Sequence, residues 1–288
     1  VSVGKVVNSA QLMQARKVSL SRAAVPTDTT QADMSGTFGT SAWNIDAAGV
    51  LHFGAGTFTD TLTNGNWTPW VTYADKIKNI SFDDKVVASK NSAYLFYGLH
   101  NLVNVEHADR FDVSQATNFM RLFGNDTSLV EVDTGNWDTS KVTDMFGMFE
   151  SAKSLVTVDV SKWNTSQVSD MQNMFNLAKS LTTLDVSHWD TSQVKNMTYM
   201  FNQTIINSTT EKTDVGSLQA LDVSHWDTSN VGNSPFGGDI AYMFAGQNKL
   251  KFLDFSHWDV RDVHTIYHTF ANCSALEILD VSHWDTSD

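Results

Sequence analysis

Between Leu181 and Phe201 the hydrophobic positions fall into two registers. Leu181, Leu184 and Val186 follow L-x-x-L-x-V, the inward positions of a leucine-rich-type strand, while Asp185 and Ser187 alternate outward. Trp189 then turns the chain back. Val194, Met197, Met200 and Phe201 follow at i, i+3, i+6 and i+7, which predicts the apolar stripe of a short helix. Asp190-Thr191-Ser192 supplies side-chain oxygens for its N-terminus. A helix this short is marginal alone and needs a core to lie against.

The phrase repeats. Its tryptophan recurs as Trp137, Trp163, Trp189, Trp226, Trp258 and Trp284, with Phe111 in the same role earlier, at steps of 26, 26, 26, 37, 32 and 26 residues. A fixed period of this size means a solenoid in which each copy buries its apolar face against the next. Each copy contributes about eight apolar side chains at roughly 1.5–3 kcal/mol apiece. The expected fold is α/β: a right-handed solenoid of parallel strands with a short helix per repeat. The two long steps place 11 extra residues in 202–216 and six near 232–239. Both insertions are polar and read as surface loops, places where solenoids often bind and also where drift is tolerated.

Ahead of the repeats the pattern changes. Residues 1–40 read as a short helix over Val6 to Val25 and a linker. Residues 41–93 read as a strand-rich cap, with strands around Trp43/Ile45, Val50/His52/Phe53 and Lys78/Ile80/Phe82 and a helical turn from Pro69. The solenoid then spans 94–288. The chain of 288 residues begins without Met and ends inside a repeat, and it reads as a fragment.

Composition narrows the function. There are 32 acidic against 19 basic residues, a net charge of −13, which argues against gripping nucleic-acid backbones. No run of apolar residues is long enough to span a bilayer, and no basic amphipathic helix suits a lipid surface. With one cysteine, Cys273, no internal disulfide exists.

The matching strings VEVDTGNWDTSKVTDMFGMF, VTVDVSKWNTSQVSDMQNMF, LTTLDVSHWDTSQVKNMTYMF, LQALDVSHWDTSNV, LKFLDFSHWDV and LEILDVSHWDTS, over roughly 100–288, resemble the 26-residue repeat of BspA-like leucine-rich surface proteins. The segment from SAWNIDAAGVLHFGAGTF to KIKNISFDD is similar to what precedes such repeats in surface proteins of lactic acid bacteria and other Firmicutes. The resemblance implies a secreted, wall-anchored adhesin for host mucus, matrix glycoproteins or glycans, or a module for bacterial cell–cell aggregation. It transfers no site residue.

One histidine slot repeats in four copies: His188, His225, His257 and His283, accompanied by Asp185, Asp222, Asp254 and Asp280 in a parallel row; Asn136 and Lys162 hold the slot earlier. Strands ~4.8 Å apart would stack these into a ladder. Two readings stand: a pH-responsive binding face, since histidine changes charge between pH 5 and 8, or solvated residues that fit the repeat. A ladder spreads ligands along a line, so it suits zinc or calcium poorly. The M-x-x-M pairs and the tryptophans read as core packing before copper or sugar binding. No G-x-S-x-G, H-E-x-x-H or P-loop occurs, and no carboxylate pair stands out, so neither an enzyme nor a cofactor is expected.

Overall fold

A computed structural model describes residues 34–61, 68–207, 210–213, 215–233 and 239–285. The helix expected over Val6 to Val25 lies outside them. The chain winds into a solenoid of about eight coils. Its first layer is antiparallel: Ser35–Phe38 pairs with Ser41–Ile45, which pairs with Val50–Phe53. From Val50–Phe53 onward the sheet is parallel through Asn79–Phe82, Asn104–Glu106, Glu131–Val132 and Thr157–Val158, completing seven strands. The cap thus shares one sheet with the repeats, and its first strand starts inside the stretch read from sequence as linker. Further on, pairing thins to single bonds, Thr182 N–H to the Val156 carbonyl at 3.2 Å and Gln219 to Thr182 at 3.4 Å. It resumes between Phe252–Asp254 and Ile278–Asp280.

The expected helix in each repeat is not there. Among the described residues helix is confined to 3-10 turns at Pro69–Lys76 and Ala108–Arg110. The segment after each tryptophan is instead a chain of overlapping three-residue turns. Met148, Glu150 and Ala152 donate to the carbonyls of Met145, Gly147 and Phe149. Between them, Met145, Gly147, Phe149 and Ser151 donate to Asp170, Gln172, Met174 and Asn176 of the next coil at 2.7–3.0 Å. An α-helix would keep all its N–H groups for itself. Here half go to the neighbouring coil, and turns of three residues satisfy the same i, i+3 apolar spacing. The geometry puts non-glycine residues in the left-handed region, among them Arg121, Asn125, Ser151, Asn173 and Leu177. That conformation is costly, and the inter-coil ladder holds it.

Two aromatic columns fill the core. Phe123, Phe149, Phe175, Phe201 and Phe244 stack at 5.5–5.8 Å with planes within 13°. Trp137, Trp163, Trp189, Trp226 and Trp258 stack at 6.1–6.5 Å within 4°. Each indole N–H reaches back to a carbonyl, as Trp163 to Thr134, Trp189 to Val160 and Trp226 to Val186. A buried donor needs such a partner, and this one also ties non-adjacent segments together. The column therefore packs the core and offers no ring face to a sugar. The methionines of the M-x-x-M pairs are equally buried.

The longer steps do not disturb the stack, since Trp189 meets Trp226 across 37 residues at 6.1 Å. The first insertion projects as a hairpin, Thr204–Asn207 against Thr210–Thr213.

Candidate functional site: the exposed rows of the strand side

The corner D-T-S is built from turns. Asp138, Asn164, Asp190 and Asp227 each accept the N–H two residues on, at 2.9–3.0 Å, through Oδ1. The threonines turn inward: Thr139, Thr165, Thr191 and Thr228 donate to carbonyls of the following coil at 2.8–2.9 Å. These aspartates are turn formers, and the helix they were expected to cap is absent.

The Asp row on the strand side works the same way. Asp185 Oδ1 takes the Ser187 N–H at 3.1 Å and its hydroxyl at 2.6 Å, and Asp222 and Asp280 repeat this with Ser224 and Ser282. Asp254 accepts the Ser256 N–H at 2.9 Å. The serine hydroxyl, then the serine N–H, holds each of the four carboxyls below the usual carboxylate range. The row stays ionised where an ordinary aspartate begins to take up protons.

His188, His225, His257 and His283 are all exposed. The structure brings His225 and His257 together, with rings 6.4 Å apart and tilted by 39°. The Ser256 hydroxyl lies 3.1 Å from His257 Nδ1. The histidines and aspartates form lines along the coil axis, and among the described residues no three His, Cys, Asp or Glu converge on a point where a metal would sit. Such a face can offer repeated carboxylates, hydroxyls and imidazoles to an extended partner.

Several polar residues were not singled out by sequence. Asp126 is wholly buried and lifted well above the usual range by that burial. Arg121 Nε pairs with Glu150 at 2.7 Å, both nearly buried, with the guanidinium over the Phe146 ring at 5.2 Å. Asp239, raised by burial, accepts the His264 N–H at 2.9 Å. Arg121, Asp126 and Glu150 sit at positions that other copies fill with unrelated residues, so their signal lay in departure from the repeat, whereas Asp239 holds the slot of Asp144, Asp170 and Asn196. Cys273 is a half-buried thiol, pushed up to about 11 by desolvation.

Comparison with known proteins bears on the repeats. No curated protein matches the chain. A solved leucine-rich repeat protein from Eubacterium ventriosum ATCC 27560 is 14% identical, covering 82% of this chain and 74% of its own, with a TM-score of 0.27, a likeness too slight to build on. A family model matches residues 90–216 and 209–288, the stretch that carries the resemblance to BspA-like leucine-rich proteins. The chain belongs to that family, described as "Mycoplasma protein of unknown function, DUF285".

Proposed function

We propose that this solenoid is a binding module of a bacterial cell surface, an adhesin for host mucus or matrix glycoproteins and their glycans. The resemblance adds the setting, a secreted and wall-anchored protein of a lactic acid bacterium or related Firmicute. The observation that carries the reading is the row of exposed His188, His225, His257 and His283 beside Asp185, Asp222, Asp280 and the half-buried Asp254, repeated at coil spacing while tryptophan, methionine and threonine are spent on the interior. Repetition along an axis suits long, repetitive partners, because several weak contacts act together.

Acid strengthens binding in this reading. The serine-held carboxylates keep their charge further into acid than an ordinary aspartate does, while the repulsion that a net charge of −13 exerts on anionic mucins weakens as the chain takes up protons. The test is binding to mucin, fibronectin and fibrinogen at pH 7 and pH 4.5, with the wild type and with all four histidines replaced by asparagine. Stronger binding at pH 4.5, lost in the variant, is expected. Binding that is flat across this range sinks the acid dependence, and no binding to any of them sinks the adhesin.

A second reading, self-association for cell–cell aggregation, is favoured by the apolar side chains exposed at Val103, Val130 and Val156 on three successive coils. Concentration-dependent dimers in sedimentation, without any glycan, would select it.

A further inference from the structure

The strand-side bonds between coils lengthen along the solenoid and fail at one place. Val130 N–H reaches the Val103 carbonyl at 3.0 Å and Val156 reaches Val130 at 3.0 Å; Thr182 to Val156 is 3.2 Å and Gln219 to Thr182 is 3.4 Å. Among the described residues no bond joins Lys251 to Gln219, and Phe252–Asp254 pairs with Ile278–Asp280 alone. The same two coils are tied elsewhere. The Thr228 hydroxyl donates to the Asp259 carbonyl at 2.8 Å, and Phe244 N–H to Thr269 at 3.0 Å. The result is a seam open on the strand side only.

Two histidines face each other across it. His225 stands on one coil and His257 on the next, in the same slot, both exposed, with rings 6.4 Å apart. Among the described residues no other two histidines of the row are in ring contact. The Ser256 hydroxyl occupies His257 Nδ1 at 3.1 Å, which leaves Nε2 as the ligand atom. Asp222 and Asp254 lie close enough to their histidines to act on them electrostatically, and their charge favours a cation. Two imidazoles on one tetrahedral ion, at about 2.0–2.1 Å per bond, bring their ring centres to about 5 Å, so these exposed side chains need to close by only about 1 Å.

We propose that His225 and His257 clasp one divalent transition-metal ion, of the zinc, nickel and copper class, and that the ion clips the open seam from outside. The two imidazoles supply two ligands and water the remainder. The row as a whole spreads its ligands along a line, and this pair alone shares a point. The coil that carries His225 lies between the two insertions, so the clip also steadies the base of both loops. The inference goes beyond the adhesin reading and is measured without any glycoprotein, so each can fail alone.

The test is calorimetric titration with zinc chloride and nickel chloride, joined to amide hydrogen exchange. The proteins are the wild type, His225→Asn, His257→Asn and the double variant His188→Asn with His283→Asn. One ion per chain is expected for at least one metal. Either single change should weaken binding at least about tenfold, and the double variant by less than about twofold. The bound metal should slow amide exchange at Gln219, Leu221, Lys251 and Leu253 in the wild type and leave it unchanged in His257→Asn. No binding of either metal, an equal loss in the double variant, or binding at the pair without slower exchange overturns the clip.

Discussion

Asp126 Oδ1 accepts the N–H of Leu99, one coil earlier, at 2.7 Å, while Oδ2 is buried with no donor. The next two copies put Ala152 and Ala178 in this slot. Burial raises the Asp126 pKa in the folded chain, so folding takes up a proton over a window above the ordinary carboxylate range. Stability contributed by the neutral carboxyl is full below the unfolded value and is lost as pH rises through the folded one. Asp126→Asn keeps the acceptor and removes the ionisation. It should be more stable than the wild type at pH 7 and lose part of the decline between pH 4 and 7, as read by urea melts. Asp126→Ala strands the Leu99 N–H and should cost about 1–3 kcal/mol.

The Arg121–Glu150 pair calls for an asymmetric experiment. With both side chains nearly buried, removing Glu150 leaves an uncompensated guanidinium, and Glu150→Ala should destabilise by about 3–5 kcal/mol. The double change Arg121→Met with Glu150→Leu should recover most of that loss. A single mutant within about 0.5 kcal/mol of wild type, in the range of ordinary surface changes, would show that the pair is solvated.

The period, the strand positions and the inward direction of tryptophan and methionine were legible because each repeat states them again. Leu184, Val186, Trp189 and Met197 could not all be buried unless coils stacked in register. The helix was misread because Val194, Met197 and Met200 are three apart, a spacing that a helix and a run of three-residue turns both satisfy. What decided between them is the hydrogen bond from Phe175 N–H to the Met200 carbonyl, a contact between coils that no local pattern reveals. The four histidines lie on the outside, and the aspartates are committed to turns with Ser187, Ser224, Ser256 and Ser282. Tyr199 and Tyr242 stack in one variable slot, and the two insertions between them hide in the sequence that they share it.

In the cap, His52 is held between two carboxylates, Nε2 to Asp46 at 3.0 Å and Nδ1 to Asp83 at 2.9 Å. The Asp46 hydrogen bond, joined by Asp83 and opposed by partial burial, raises its pKa. Both ring nitrogens donate to carboxylates when the imidazole is charged. The stability this contributes is fully present below the unfolded histidine pKa and disappears as pH rises through the folded one. Melts between pH 5 and 8.5 should show the wild type losing stability with rising pH, and His52→Gln losing less. An NMR titration that finds His52 at or below the ordinary histidine value would refute the assignment.

The tryptophan column makes the sharpest demand, because the same substitution should cost different amounts along the solenoid. Trp189 lies between Trp163 and Trp226, within 4° of parallel to each, and gives its N–H to the Val160 carbonyl at 3.1 Å. Trp189→Phe keeps a ring and loses this inter-coil bond, while the Val160 carbonyl still accepts the Trp163 N–H at 3.2 Å, so the loss should be about 0.5–1.5 kcal/mol. Trp189→Ala also opens a cavity and should cost about 3–5 kcal/mol. Trp284 packs beside Phe255 and Phe270, but its indole nitrogen has no acceptor. Trp284→Phe therefore sacrifices no hydrogen bond and should fall within about 1 kcal/mol of wild type in urea. Equal losses at Trp189 and Trp284 would mean that ring volume alone holds the column, and that the inter-coil hydrogen bond adds nothing.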